Sequence, residues 1–301
     1  MRLLILGASG FLGGHVWRRA TLAGVDVVTA GRAALPESPA HHRLDLAAGD
    51  PEPVAEIIAS VAPDAVANCA GATSGPPDAL AAANITGPAT LVRAMQLAGT
   101  RARLVHLGSA AEYGGAEPPD PLGESAPPRP GAMYGVTKLA GTRLVELGRA
   151  AGLDAVALRV FNPVGAGAPD GSLPGRVTAQ LRRALASGDD VRLGPLDAVR
   201  DFVDARDVAA AVLAAAAAAA LPHAVINVGS GTGVPARALV KELVAVAGYD
   251  GPVHEDSAGS ARSGDLDWQQ ADISRARADL GWQPRHDLAA SVADLWEGSG
   301  G

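Results

Sequence analysis

Residues 2–14 read RLLILGASGFLGG, from Arg2 to Gly14. Leu3 to Leu6 are four apolar residues in a row, which suits a strand buried on both faces. Gly7, Gly10 and Gly13 follow at a G-x-x-G-x-x-G spacing, and a helical pattern opens directly behind them. Strand, glycine turn and helix together give such a spacing its meaning. Glycines let the backbone turn sharply and approach a pyrophosphate, while the helix N-terminus offers unpaired N–H groups and a favourable dipole. Gly7, Ser9, Gly10, Phe11, Leu12 and Gly13 are therefore expected to form a dinucleotide phosphate loop. The same stretch makes a poor secretion signal, because its strongly apolar part stops at Leu6.

Short apolar runs and helical patterns alternate onward from this point. VDVVTAG, a short run before LDL, DAVANCAG, RLVHLGS and DAVALRVFN read as strands. PEPVAEIIASVAP, NITGPATLVRAMQLAG (from an Asn start) and YGVTKLAGTRLVELGRAAG read as helices. This order predicts an α/β fold, a Rossmann-type doubly wound parallel sheet. After about residue 160 the chain turns rich in Gly, Pro and Asp, with two further helices, DARDVAAAVLAAAAAAAL and ARALVKELVAVAG. The expected division is a cofactor domain over 1–160, with 201–226 packed on it. A smaller mixed α/β substrate lobe takes 161–200 and 227–301, its last residues, GSGG, forming a flexible end.

The chain has 301 residues, 48% hydrophobic and 19% charged, so a large core is available and disorder is disfavoured. A net charge of −7 argues against nucleic acid as a partner. The lone cysteine, Cys69, excludes an internal disulfide framework and fits a reducing cytoplasm. Nothing approaches the roughly 20 apolar residues of a membrane span, so no membrane partner is expected. The alanine tract Ala209–Leu221 reads as a packed helix. His15, Trp17, His41 and His42 show no metal-ligand spacing and are read as structural; no metal is expected.

The second strand ends in TAGR. An acid near that end would select NAD by binding the ribose 2′-hydroxyl. Asp26 sits instead at the strand start, whereas Arg32 at the end suits a 2′-phosphate, unless it is an ordinary surface arginine. NADP(H) is therefore favoured over NAD. Asp45 in LDL could touch the adenine edge or simply be a loop acid.

Tyr134 and Lys138, four residues apart in YGVTK, share one helix face. A phenol is a poor proton donor at neutral pH, and a neighbouring ammonium favours the phenolate. Ser109, closing the strand RLVHLGS, stands where its hydroxyl could hold a substrate oxygen, or merely cap a turn. Tyr113 is read as structural or as lining the cleft.

These segments, with RVFNPVG, VRDFVDARDV, INVGSGTG and RSGDL, make the chain resemble the extended short-chain dehydrogenase/reductases acting on nucleotide sugars. Within that branch it is most similar to GDP-4-keto-6-deoxy-D-mannose reductases, with dTDP-sugar 4-ketoreductases nearly as close. The resemblance implies a Ser109–Tyr134–Lys138 triad, with Tyr134 and Lys138 also touching cofactor. It adds Leu46, Ala70 and Gly71 to the cofactor contacts, and Thr73, Ser109, Ala110 and Asn162 to the substrate contacts. Arg200 and Arg262 match diphosphate-binding positions, which suits the bidentate guanidinium, and Asp265 matches a ribose contact. Sugar-nucleotide 4,6-dehydratases carry Thr-Asp-Glu where this chain has Ser109, Ala110 and Ala111, and alanine cannot supply their acid and base. The implied reaction is NADPH-dependent reduction of an NDP-4-keto-6-deoxyhexose at C4. The alternatives are an NAD-retaining 4-epimerase and a non-catalytic NADP-binding sensor or scaffold. A homodimer is the implied assembly.

Overall fold

The computed structural model describes residues 1–33, 38, 40–116, 119–257 and 267–298. The first half runs β1 (Arg2–Leu6), α1 (Phe11–Leu22), β2 (Asp26–Gly31), β3 (His41–Arg43), α2 (Glu52–Val61), β4 (Ala65–Asn68), α3 (Pro77–Ala81), α4 (Gly87–Leu97), β5 (Arg103–Ser109), α5 (Met133–Ala150) and β6 (Ala155–Val160). The second half runs β7 (Asn162–Val164), α6 (Leu173–Ser187), β8 (Val191–Arg192), β9 (Val199–Asp204), α7 (Ala205–Ala217), β10 (Val225–Val228), β11 (Gly233–Pro235), α8 (Ala236–Ala247), β12 (Val253–His254), α9 (Ser274–Leu280) and α10 (Leu288–Gly298).

Seven strands form one sheet in the order β10-β6-β5-β4-β1-β2-β3, every neighbouring pair parallel. The opening stretch shows why it is doubly wound. Leu3 and Ile5 belong to a core built with Val16 and Ala20 of α1 and Val208, Ala211 and Val212 of α7. Leu4 and Leu6 belong to a second core, with Val54 and Ile58 of α2 and Leu91 and Met95 of α4. Alternation along β1 thus feeds two opposite apolar layers. The alanine tract is helical only as far as Ala217, where α7 ends; Ala209, Ala211 and Ala215 are buried, and their small side chains let α7 lie close against α1.

The structure departs from the sequence reading in several places. The strand expected over DAVALRVFN divides at Phe161: β6 stays in the large sheet, and β7 joins a three-stranded sheet ordered β11-β9-β7. β10 completes the large sheet although its sequence, VINV, sits far down the chain beyond the loop-rich region. α6 occupies a segment with no expected helix, yet Ser172 caps its start, Pro174 stands in its first turn and Gly188 closes it in the left-handed region. Finally, the helix expected to begin at Asn84 begins at Pro77. It runs through a π-helical turn over Ala82–Thr86 into α4.

A third apolar cluster underlies the second lobe, built from α6, α8 and α10 with Leu193, Leu196 and Phe202. β9 of this lobe leads directly into α7, which packs on the large sheet, so the two parts are interwoven. Among the described residues no helix is long and apolar enough to cross a membrane.

Candidate active site

The carboxyl ends of β1, β4, β5 and β6 open into a cleft of about 870 Å³, closed on its far side by the 169–174 segment, the 193–198 loop and β9. Gly7 leaves β1 at φ +77°, in the left-handed region, where a Cβ would stand 2.8 Å from the Ala70 backbone. Gly13 lies so close beneath the loop that a Cβ there would run into the Gly7 carbonyl oxygen. The Gly10 N–H closes the turn onto that oxygen at 3.0 Å, and α1 starts at the next residue. The result is a backbone-lined cradle at a helix N-terminus, which fits a dinucleotide pyrophosphate. Gly10, Phe11 and Leu12 line the cleft, whereas Gly7 and Gly13 shape the loop and Ser9 is exposed on it.

Arg32 is exposed directly after β2 and does not line the cleft; a Gly31 Cβ would stand 3.7 Å from the Gly7 nitrogen, so β2 ends beside the cradle. Asp26 lies at the opposite end of β2, bonded to Arg2 Nε at 2.6 Å. Asp45 accepts from the Ala47 N–H at 3.0 Å, capping a short 3₁₀ turn, and Leu46 is buried in the apolar core. Neither lines the cleft, while Ala70 and Gly71 do, at the carboxyl end of β4.

Tyr134 and Lys138 lie one turn apart on α5, both buried, and line the cleft together with Ser109 from the end of β5. Lys138 Nζ donates to the Leu107 carbonyl at 2.5 Å and lies 3.9 Å from where a Gly71 Cβ would be. A buried ammonium thus faces the β4 and β5 ends with donors to spare. Beneath it, burial first and the Lys138 charge second hold the His106 pKa well below its ordinary value. Burial pushes the Cys69 thiol up to about 12 despite Lys138, so at neutral pH neither offers a competing charge or nucleophile.

Ser109 does cap a turn. Its Oγ accepts from the Ala111 N–H at 3.2 Å, and Glu112 accepts from the Ser109 N–H at 2.8 Å. Glu112 is fully buried and also accepts from Thr142 Oγ1 at 2.8 Å and Arg159 Nε at 2.7 Å. The Arg159 guanidinium lies 4.5 Å over the Tyr113 ring, whose hydroxyl donates to Asn227 Oδ1 at 2.7 Å. Burial pushes the Tyr113 hydroxyl up to about 12, so Tyr113 is a structural phenol.

On the far side Thr73, Ala110, Asn162 and Arg200 also line the cleft. Asn162 Nδ2 donates to the Asp201 carbonyl at 3.0 Å. Arg200 is buried on β9 and donates to the Val199 carbonyl at 2.8 Å; burial lowers its pKa, and the Asp267 charge opposes this. Arg262 and Asp265 lie outside the described residues.

Asn84 and Arg176 are among the lining residues that escaped the sequence reading. Asn84 is buried within the π turn, donates to the Ala72 carbonyl at 2.8 Å and to Thr137 Oγ1 at 3.1 Å, and accepts from Ala72 N–H at 3.0 Å. It ties the β4 loop to the Tyr-Lys helix, and only tertiary contact distinguishes it from a helix cap. Arg176, one turn into α6, lines the cleft and has no side-chain partner among the described residues. It stayed unread because the helix carrying it was unread.

Known proteins resemble this chain along most of its length. Residues 3–229 match the family described as NAD dependent epimerase/dehydratase family. The dTDP-6-deoxy-L-talose 4-dehydrogenase (NAD(P)(+)) of Kitasatospora kifunensis is 39% identical, over 98% of this chain and 94% of that one. A UDP-glucose 4-epimerase of Streptomyces lividans is 33% identical, over 98% and 95%. The solved structure of RMD from Pseudomonas aeruginosa complexed with NADPH superposes with a TM-score of 0.84 at 26% identity, covering 98% of this chain and 97% of that one. With the family matched over most of its length and the glycine cradle, Ser109, Tyr134 and Lys138 meeting in one cleft, the chain belongs to the NAD dependent epimerase/dehydratase family of extended short-chain dehydrogenase/reductases.

Proposed function

We propose that this protein catalyses NADPH-dependent reduction of the C4 ketone of an NDP-4-keto-6-deoxyhexose, with residues 161–200 and 227–301 forming the nucleotide-sugar lobe. The observation that carries the reading is the meeting of Ser109, Tyr134 and Lys138 beside the glycine cradle, while Ala110 and Ala111 offer no acid or base for dehydration. The 39% identical dTDP-sugar dehydrogenase supports dTDP over GDP as the nucleotide. Its named reaction is oxidation at the same carbon, the reverse of the reduction proposed.

A nicotinamide cofactor held by the glycine cradle, Tyr134 and Lys138 would supply hydride chemistry at C4, in either direction. Tyr134 gives its phenolic proton to the C4 oxygen as negative charge develops there. Ser109 donates a hydrogen bond to the same oxygen, held in place because Glu112 anchors its backbone N–H. Lys138, its ammonium positioned by Leu107, would hold the nicotinamide ribose and bring positive charge to the same end of the cleft as Tyr134. Arg200 and Arg176 hold the diphosphate, and Asn162 bears on the sugar. Arg32 selects NADPH through its 2′-phosphate. Apolar Val136 and Leu147 on α5 and Leu97 on α4 are exposed, which supports a homodimer.

Assaying NADPH oxidation with dTDP- and GDP-4-keto-6-deoxyhexoses, with NMR of the product, tests the reading. Oxidation is expected, faster with the dTDP-sugar. An NAD-retaining 4-epimerase is the second reading, favoured by the 33% identical UDP-glucose 4-epimerase. Epimer interconversion without added cofactor would establish it instead, and NADPH oxidation with neither sugar would overturn the reductase reading.

A further inference from the structure

We infer that His15 is a positioning residue that couples cofactor occupancy on one side of the cleft to sugar-nucleotide binding on the other; this rests on the proposed function.

The two sides are built from distant parts of the chain, and one residue, Ala166, ties them together. Phe11, in the first turn of α1, lines the cofactor side. Its ring meets the His15 ring edge-on, centroids 5.4 Å apart at 88°, as the i, i+4 spacing on a helix permits. His15 is buried, and its Nε2–H donates to the Ala166 carbonyl at 2.9 Å. Ala166 lies just past β7, and its own N–H donates to Asp294 Oδ2 of α10 at 2.9 Å. Asp294 in turn lies 3.4 Å from Arg206 of α7. Ala166 is thus gripped at both backbone groups.

From there the chain runs straight into the substrate side. The Ala168 N–H bonds back to the Gly165 carbonyl at 3.1 Å, and Pro169, Gly171 and Ser172 then line the cleft. Gly175 lies so close behind that a Cβ would run into the Pro169 carbonyl, so this segment moves with the start of α6, where Arg176 sits. A ligand pressed against Phe11 fixes the ring on which His15 leans. His15 fixes Ala166, and Ala166 fixes the segment that receives the sugar nucleotide. Ordering done by the first ligand is then not required of the second, which makes their binding mutually favourable.

The test measures dTDP affinity by calorimetry with and without saturating NADP⁺. The wild-type protein should bind dTDP at least about fivefold tighter in the presence of NADP⁺. In His15→Leu, which keeps bulk but loses the donor, that ratio should fall below about twofold, while NADP⁺ affinity alone changes less than about threefold. His15→Gln, which restores an N–H donor, should recover part of the ratio. Asp294→Asn, which weakens the other grip on Ala166, should lower it independently and serves if His15→Leu folds poorly. A purely structural role would lower thermal stability and leave the ratio intact, and that result overturns the inference. An uncoupled wild-type protein that binds both ligands also overturns it. A wild-type protein that binds neither ligand defeats the proposed function instead.

Discussion

Glu112→Gln changes one carboxylate oxygen to an amide and should cost more stability than its size suggests. Glu112 and Arg159 are 0% and 2% exposed, and the carboxylate takes hydrogen bonds from Ser109, Thr142 and Arg159 at 2.7–2.8 Å. An amide can accept at one atom only, and its NH₂ would face donors. The Arg159 charge would stay buried over the Tyr113 ring with no counter-charge. Breaking such a pair from one side costs about 3–5 kcal/mol. At ~2 °C per kcal/mol for a chain of this size, the expected fall in Tm is roughly 6–10 °C. Urea unfolding measures the loss directly. The double variant Glu112→Leu with Arg159→Met removes both charges and should recover to within about 2 kcal/mol of wild type. Because Glu112 also anchors the Ser109 backbone, turnover in the folded Glu112→Gln protein should fall as well. A loss under about 1 kcal/mol, or a double variant no better than the single one, would refute this electrostatic account.

Other consequences can be checked separately. Arg176→Gln should weaken dTDP binding about tenfold or more and dTMP binding less than about twofold, as expected for a charged hydrogen bond to the second phosphate; equal losses would mean the guanidinium does not touch it. Arg32→Ser should raise the KM for NADPH at least about tenfold and leave NADH nearly unaffected. His106 is held below its unfolded pKa of about 6.5, so the unfolded chain takes up the proton first as pH falls. Its contribution to stability is full above that value and is lost as pH drops below it, by up to about 1.4 kcal/mol per pH unit. Urea midpoints between pH 7.5 and 5 should therefore fall less steeply in His106→Gln than in wild type; parallel slopes would contradict the burial argument.

The opening strand, glycine turn and helix were legible because their signals are local: four apolar residues, three glycines, then helical periodicity. Ser109, Tyr134 and Lys138 were legible as an ordered set, and the fold brings all three to one cleft. What stayed hidden depends on tertiary contact. β10 is four residues long and reads as a sheet strand only once β6 lies beside it. Asn84 looks like a helix cap, but it is overridden by a continuous helix whose π turn presents its side chain to the β4 loop. α6 was different, for its cap, proline and closing glycine were all visible. The Gly- and Pro-rich run before it reads as loop and no element was assigned behind it, so Arg176 was missed too. Asp45 and Leu46 show a further limit: residue type and position could not say that one caps a turn and the other joins the core.

The central claim is that Tyr134 hands its proton to the C4 oxygen of a keto sugar nucleotide. Single-turnover measurement of Tyr134→Phe with NADPH and a dTDP-4-keto-6-deoxyhexose tests it most directly. The rate should fall by about 10²–10⁴-fold, with NADPH affinity within about threefold of wild type because the glycine cradle is untouched. A rate within about tenfold of wild type would contradict the claim.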